Sequence, residues 1–126
     1  MIVVDTSALI AIALSEAEKD RCKRTLFEAD RVLISAATVT ETLIVALGRD
    51  CEGPIRAMFD RFGLEIEPLT DRRARAAANA YGHYGKGWHA ASLNYGDSFP
   101  YALAIEHGCP LLFVGNDFSL TDVIAA

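Results

Sequence analysis

Short, unbroken apolar runs recur along the chain, each closed by a polar or small residue before a helically spaced stretch begins. Ile2-Val3-Val4 is continuous and β-branched, the mark of a strand buried on both faces, and Asp5 ends it. Thr6 and Ser7 then offer N-caps for the apolar stretch 8–14. Residues 16–29 are charged, with Cys22, Leu26 and Phe27 facing inward, which predicts an amphipathic surface helix. Arg31-Val32-Leu33-Ile34 predicts a second strand closed by Ser35, and residues 36–47 a helix stopped by Gly48. Gly53-Pro54 opens another helix, in which Ile55, Met58, Phe59 and Phe62 keep helical spacing as far as Gly63. Residues 64–69 predict a third strand with Leu64, Ile66 and Pro68 alternating, and 71–81 an Ala/Arg-rich helix capped by Thr70 or Asp71. A loop with four glycines, 82–96, carries Tyr84, Trp88 and Tyr95. A helix over 98–107 follows, broken by Gly108-Cys109-Pro110, and then a fourth strand over 111–114 and a turn at Gly115-Asn116-Asp117.

Strands separated by helices imply a parallel sheet with crossovers, and hence a three-layer α/β sandwich with a central sheet of four to five strands. Ligands of such open sheets sit beyond the carboxyl ends of the strands, where Asp5 and Asp117 fall by sequence position. With 126 residues and no repeat, linker or low-complexity tract, residues 1–126 are expected to form one domain with a real core.

Charge changes the picture in one respect. The net charge of −5 will not draw nucleic acid to the molecule as a whole, so such a partner must be held locally. No Lys or Arg follows Lys86, whereas Asp97, Glu106, Asp117 and Asp122 all do, so the end of the chain is locally acidic. Cys22, Cys51 and Cys109 are odd in number, far apart and without a CxxC pair, which fits a reducing cytoplasm rather than a disulfide framework or a zinc site. No apolar run is long enough to span a bilayer, so no membrane association is expected.

Four acids stand where chemistry is expected. Asp5 is either a metal ligand or the cap and turn residue after a strand. Glu41 lies inside a helix with Ala37, Thr38, Ile44 and Val45 a turn away, and a carboxylate on such a face is costly unless paired or metal-bound. Asp97 has a bland role as N-cap of the helix over 98–107. Its third helical position is Pro100, however, which has no N–H to offer, so Ser98 is free to cap instead. Asp117 is as readily an Asx-turn residue beside Asn116, and Asp122 a cap of the last turn. Each acid alone is a weak signal; four carboxylates sharing one edge are a strong one. Carboxylates without sulfur ligands suit Mg²⁺ or Mn²⁺, and such ions serve phosphoryl chemistry.

Other constellations fall away. His83, His89 and His107 lack metal spacing, and there is no GxSxG, Walker A or GxGxxG motif. Arg72 and Lys86 near the aromatic loop are candidates for holding a phosphate backbone while Trp88 stacks a base; a solvated helix face is the plainer alternative.

A resemblance joins these residues. Val4-Asp5-Thr6-Ser7-Ala8-Leu9, Ser35-Ala36-Ala37-Thr38 through Glu41, Gly85-Lys86-Gly87, Leu93-Asn94-Tyr95-Gly96-Asp97, Tyr101-Ala102-Leu103-Ala104 and Leu111-Leu112-Phe113 through Gly115-Asn116-Asp117-Phe118, with Thr121-Asp122, run the length of the chain in order. Together they resemble a PIN-domain nuclease, and within that class a VapC-type toxin of a toxin–antitoxin pair. The resemblance implies a Mg²⁺- or Mn²⁺-dependent endoribonuclease with a parallel-sheet fold, a homodimer, and a cognate antitoxin whose tail plugs the acidic pocket. Carried over by position, Asp5 and Asp97 are the metal ligands, Glu41 the third acid, and Asp117 or Asn116 the fourth site residue. Asn116 stands where many relatives have Asp, and Ser98 and Pro100 replace the more usual Cys and Ala.

The mechanism so implied is in-line hydrolysis, with Glu41 orienting or deprotonating the attacking water and Thr6 or Ser7 hydrogen-bonding a ligand carboxylate or phosphate. Two rivals remain. One is a haloacid-dehalogenase-like phosphatase with Asp5 as nucleophile, although Ser7 stands where that group has an acid. The other is a catalytically silent PIN-like binding module.

Overall fold

The computed structural model describes residues 1–126. Four strands, β1 (Ile2–Val4), β2 (Val32–Ser35), β3 (Leu64–Glu67) and β4 (Leu111–Leu112), form one sheet in the order β3-β2-β1-β4. Every pairing is parallel. Six helices connect the strands: α1 (Thr6–Ala13), α2 (Lys19–Glu28), α3 (Ala36–Gly48), α4 (Glu52–Arg61), α5 (Asp71–Tyr84) and α6 (Ser98–His107). The three-layer architecture expected from the sequence is present, with four strands; a fifth contribution is only an isolated bridge of Ala125 to Leu111.

Strand pleating divides the core in two. Ile2, Val4, Val32, Ile34 and Leu112 face a cluster built with α1, α2, α3 and α4. Val3, Leu33 and Leu111 face the opposite way, onto Ala80 of α5 and Tyr101, Leu103 and Ala104 of α6. Val3, Val4, Leu33 and Leu111 are fully buried, which is why β1, β2 and β4 read as continuous apolar runs rather than alternating ones. Cys22, Cys51 and Cys109 are buried free thiols within this packing.

Several expectations need correction. The N-cap of α1 is Asp5, whose side chain accepts from the Ser7 N–H, so the helix begins at Thr6 and neither Thr6 nor Ser7 caps it. Phe27 is exposed, not inward; it packs edge-to-face on Phe62 at the rim of the α2–α4 layer, with the Arg61 guanidinium over its ring. β3 is an edge strand paired with β2 alone, and its Ile66 is exposed, so the alternation of 64–69 does not mark a buried face. Helix α5 runs through Gly82 to Tyr84, because a single glycine costs only about 1 kcal/mol and the packing of α5 on α6 outweighs that. Thr70 Oγ1 is its cap, accepting from the Arg73 N–H. Helix α6 ends as expected at Gly108, left-handed at φ 58°, where Cys109 N–H reaches back to Ala104 O.

Candidate active site at the carboxyl edge of the sheet

The strand order reverses at β1, with β2 and β3 on one side and β4 on the other, and the crevice beyond the carboxyl ends there is where open α/β sheets bind ligands. Asp5 ends β1 and enters that crevice already buried. Its Oδ2 accepts from Ser7 N–H at 3.0 Å and from Ser7 Oγ at 2.5 Å. Ser7 Oγ in turn accepts from the Val114 N–H beyond β4 at 3.0 Å, tying the first acid to the neighbouring strand's loop.

Asp97 sits at the head of α6 with helical backbone angles (φ −66°, ψ −27°), so its side chain makes no cap. The carboxylate instead forms a reciprocal pair with Asn94: Asn94 N–H donates to Asp97 Oδ2 at 3.0 Å and Asp97 N–H to Asn94 Oδ1 at 2.9 Å. Ser98 does not cap either; its hydroxyl donates to Tyr95 O at 2.6 Å. Pro100 occupies the first turn, where its missing N–H costs nothing.

Glu41 projects from α3. Its Oε1 accepts from Thr6 Oγ1 at 2.6 Å, and Thr6 Oγ1 also lies 2.9 Å from Thr42 Oγ1, which is fully buried. Thr6 and Ser7 therefore hold the protein's own acids, Thr6 taking Glu41 and Ser7 taking Asp5.

Electrostatics tie the acids together. Burial pushes the Asp5 carboxyl up to about 6, with the Glu41 charge adding to the rise against the Ser7 hydrogen bonds. Burial likewise pushes Asp97 up to about 7, reinforced by the charges of Asp5, Asp117 and Glu41. No Lys, Arg or His forms an ion pair with Asp5, Glu41, Asp97 or Asp117. Two buried carboxylates that repel each other and lack a basic partner are the donor chemistry of a hard divalent cation.

The acids form a rim rather than a closed cage, since no three His, Cys, Asp or Glu side chains converge on one point. Glu41 is drawn toward Thr6 and Asp97 toward Asn94. Such a rim suits Mg²⁺, which keeps several waters and takes one or two carboxylates directly. Asp117 is exposed at the edge of the rim, within electrostatic reach of Asp97. Asn116, beside it, is exposed and lines a cavity of about 480 Å³ with Glu18, Arg21, Phe113 and Ala126. Asp122 is engaged elsewhere, accepting from the Tyr101 hydroxyl at 2.6 Å.

The expected RNA-contact residues are split between two places. Arg72 lines another cavity of about 480 Å³ between α5 and α6 with His83, Tyr84 and Tyr101. Lys86 and Trp88 lie exposed on the loop after α5, with Trp88 edge-to-face on Tyr81. Two residues with a part in the site went unassigned from the sequence alone. Asn94 was legible only as part of a motif. The role of Gly96 depends on a tertiary approach between α3 and the loop before α6.

A family model described as "PIN domain" matches residues 2–124. The chain belongs to the PIN-domain family. Within that family it is a VapC-type ribonuclease by relationship. It is 42% identical over 125 residues to a VapC ribonuclease of Mycobacterium bovis, covering 96% of this chain and 95% of that one. Among solved structures it superposes on the VapC20 toxin of Mycobacterium tuberculosis, described as cleaving the sarcin-ricin loop, with a TM-score of 0.79 at 19% identity. That match covers 100% of this chain and 98% of the other. A toxin–antitoxin complex from Klebsiella pneumoniae matches with a TM-score of 0.74 at 20% identity, covering 100% and 97%. Ribonucleases of this family generally depend on a divalent metal. The phosphatase alternative lapses with this membership: Ser7 is spent on Asp5 where that chemistry needs a second acid.

Proposed function

We propose that this PIN-domain protein is an endoribonuclease that hydrolyses RNA phosphodiester bonds with Mg²⁺ or Mn²⁺ held by Asp5 and Asp97. We further propose that it acts in the cytoplasm as the toxin of a toxin–antitoxin pair, the chain 1–126 serving as one nuclease domain. The observation that carries the reading is the pair of buried, mutually repelling carboxylates without a basic partner at the switch point of the parallel sheet.

A bound Mg²⁺ or Mn²⁺ supplies charge neutralisation at the phosphate and an acidified water. The chain's own groups do the rest. Ser7 and Asn94 each hold one oxygen of a ligand carboxylate and so fix its orientation. Glu41, steadied by Thr6, orients the attacking water or takes its proton. Asp117 at the rim adds negative charge beside Asp97 and would help hold the cation. Lys86 and Arg72 hold the phosphate backbone and Trp88 stacks a base, which localises RNA on a molecule of net negative charge.

The Klebsiella neighbour is a toxin–antitoxin complex. The partner proposed here is an antitoxin whose basic tail covers the uncompensated acids, and the toxin itself is a homodimer. Cleavage of a panel of labelled structured RNAs tests the activity, with Mg²⁺, with Mn²⁺ and with chelator, beside an Asp97→Asn preparation. Metal-dependent cutting that disappears in the variant supports the proposal; equal cutting by both proteins points to a contaminant. Failure to cut together with failure to bind Mn²⁺ leaves the silent binding module.

A further inference from the structure

The loop before α6 does more than carry Asp97. Asn94 clamps Asp97, and two residues on Gly96 meets Glu41 across the site. A Cβ built on Gly96 would lie 1.8 Å from Glu41 Oε2 and 2.8 Å from its Cδ. The Gly96 backbone is not left-handed, so the site requires glycine there for space alone. Glu41 is pinned on its other side by the 2.6 Å bond from Thr6, and Thr6 rests against the buried Thr42. The carboxylate is thus gripped between a hydroxyl and a bare Cα.

We infer that Gly96 is a positioning residue, whose missing side chain lets the Asn94–Asp97 loop close against Glu41 and so sets the third acid beside Asp97. The inference rests on Glu41 serving the proposed nuclease site. A methyl group at position 96 meets the far end of a flexible side chain, not backbone, so the fold has an inexpensive escape: Glu41 swings out. It then loses the Thr6 bond and its place at the rim. An alanine at Gly96 therefore acts through Glu41, since the other atom near such a Cβ, Asn94 Oδ1 at 3.4 Å, stays in ordinary van der Waals contact.

A double-mutant cycle tests this, with Glu41→Ala, Gly96→Ala and the double variant compared for RNA cleavage, Mn²⁺ affinity and thermal unfolding. Gly96→Ala is expected to unfold within a few degrees of the wild-type chain. It should weaken cleavage and Mn²⁺ binding to nearly the extent that Glu41→Ala does. In the Glu41→Ala background the same change should have no effect, because the clashing carboxylate is gone. Additive losses would overturn the inference, as would a Gly96→Ala protein with wild-type cleavage and Mn²⁺ affinity. If Glu41→Ala itself changes neither quantity, the assignment of Glu41 to the site fails first, a result distinguishable from failure of the Gly96 role. Should Gly96→Ala fail to fold alone, recovery of folding in the double variant still demonstrates the contact, and its absence refutes it.

Discussion

Two acidic regions of this molecule treat the same functional group in opposite ways. Around Arg73, carboxylates are matched to a cation: Glu67 lies 2.9 Å from one guanidinium nitrogen and Glu106 2.9 Å from another. There the Arg73 hydrogen bond holds the Glu106 carboxyl below its ordinary range. At the carboxyl edge of the sheet, Asp5 and Asp97 are buried with only hydroxyl and amide donors, and burial drives both upward. The first arrangement ties α5 to β3 and α6 and is complete in itself. The second is left short of positive charge. What separates a binding site from a structural ion pair is therefore the absence of a partner, not the presence of acid.

The largest expected difference is catalytic. Asp97→Asn should lower metal-dependent RNA cleavage by roughly 10³-fold, as loss of a principal ligand and its charge implies. Arg73→Ala, which also disturbs an acidic cluster, should leave cleavage within about threefold of wild type.

Stability against pH comes next, and the two regions carry opposite signs. Asp5 and Asp97 are raised above the unfolded value, so their contribution is fully present below about pH 4 and is lost as pH rises through about 6 and 7. Glu106 is lowered, so its contribution is present at neutral pH and is lost on acidification. Metal-free wild-type protein should therefore lose stability relative to Asp97→Asn between pH 5 and pH 8, on the order of a few kcal/mol at about 1.4 kcal/mol per pKa unit. Urea titrations across that range, in chelator, measure the difference, and added Mn²⁺ should narrow it. A wild type that gains on the variant as pH rises would contradict the sign.

Arg73→Ala should destabilise the chain by about 1 kcal/mol, since half-buried Glu67 loses its partner while exposed Glu106 keeps only His107 beside it. Equilibrium unfolding at pH 7 reads this directly. Among the site residues the smallest effect is Thr6→Val. Removing the hydroxyl that steadies Glu41 should reduce cleavage roughly 10-fold, at a stability cost of about 1 kcal/mol because the buried Thr42 hydroxyl also loses its partner.

Much of this was legible in the sequence for physical reasons. Strands buried on both faces must be continuous apolar runs, so β1, β2 and β4 announced themselves. The missing N–H of Pro100 hinted that Asp97 does not cap, which holds, but the cause is its helical backbone and its pairing with Asn94, and Ser98 does not cap in its place. What local pattern does not carry is tertiary approach. Ile66 alternates like a buried residue, yet it lies on an edge strand. Phe27 has the spacing of an inward residue but falls at the rim of its layer. Asn116 and Asp117 are adjacent in sequence, and only the folded chain shows that the charge of Asp117 is felt at Asp97. The grip on Glu41 joins residues 6, 41 and 96, which no sequence window brings together.

The central claim is that acids without a basic partner form a divalent-cation site. Mn²⁺ titration followed by electron paramagnetic resonance tests it most directly, at pH 7.5, on the wild-type chain, Asp5→Asn, Asp97→Asn and Arg73→Ala. Specific binding is expected in the wild type and in Arg73→Ala, and its loss in both aspartate variants. Equal Mn²⁺ binding by all four proteins, or none by the wild type, would contradict it.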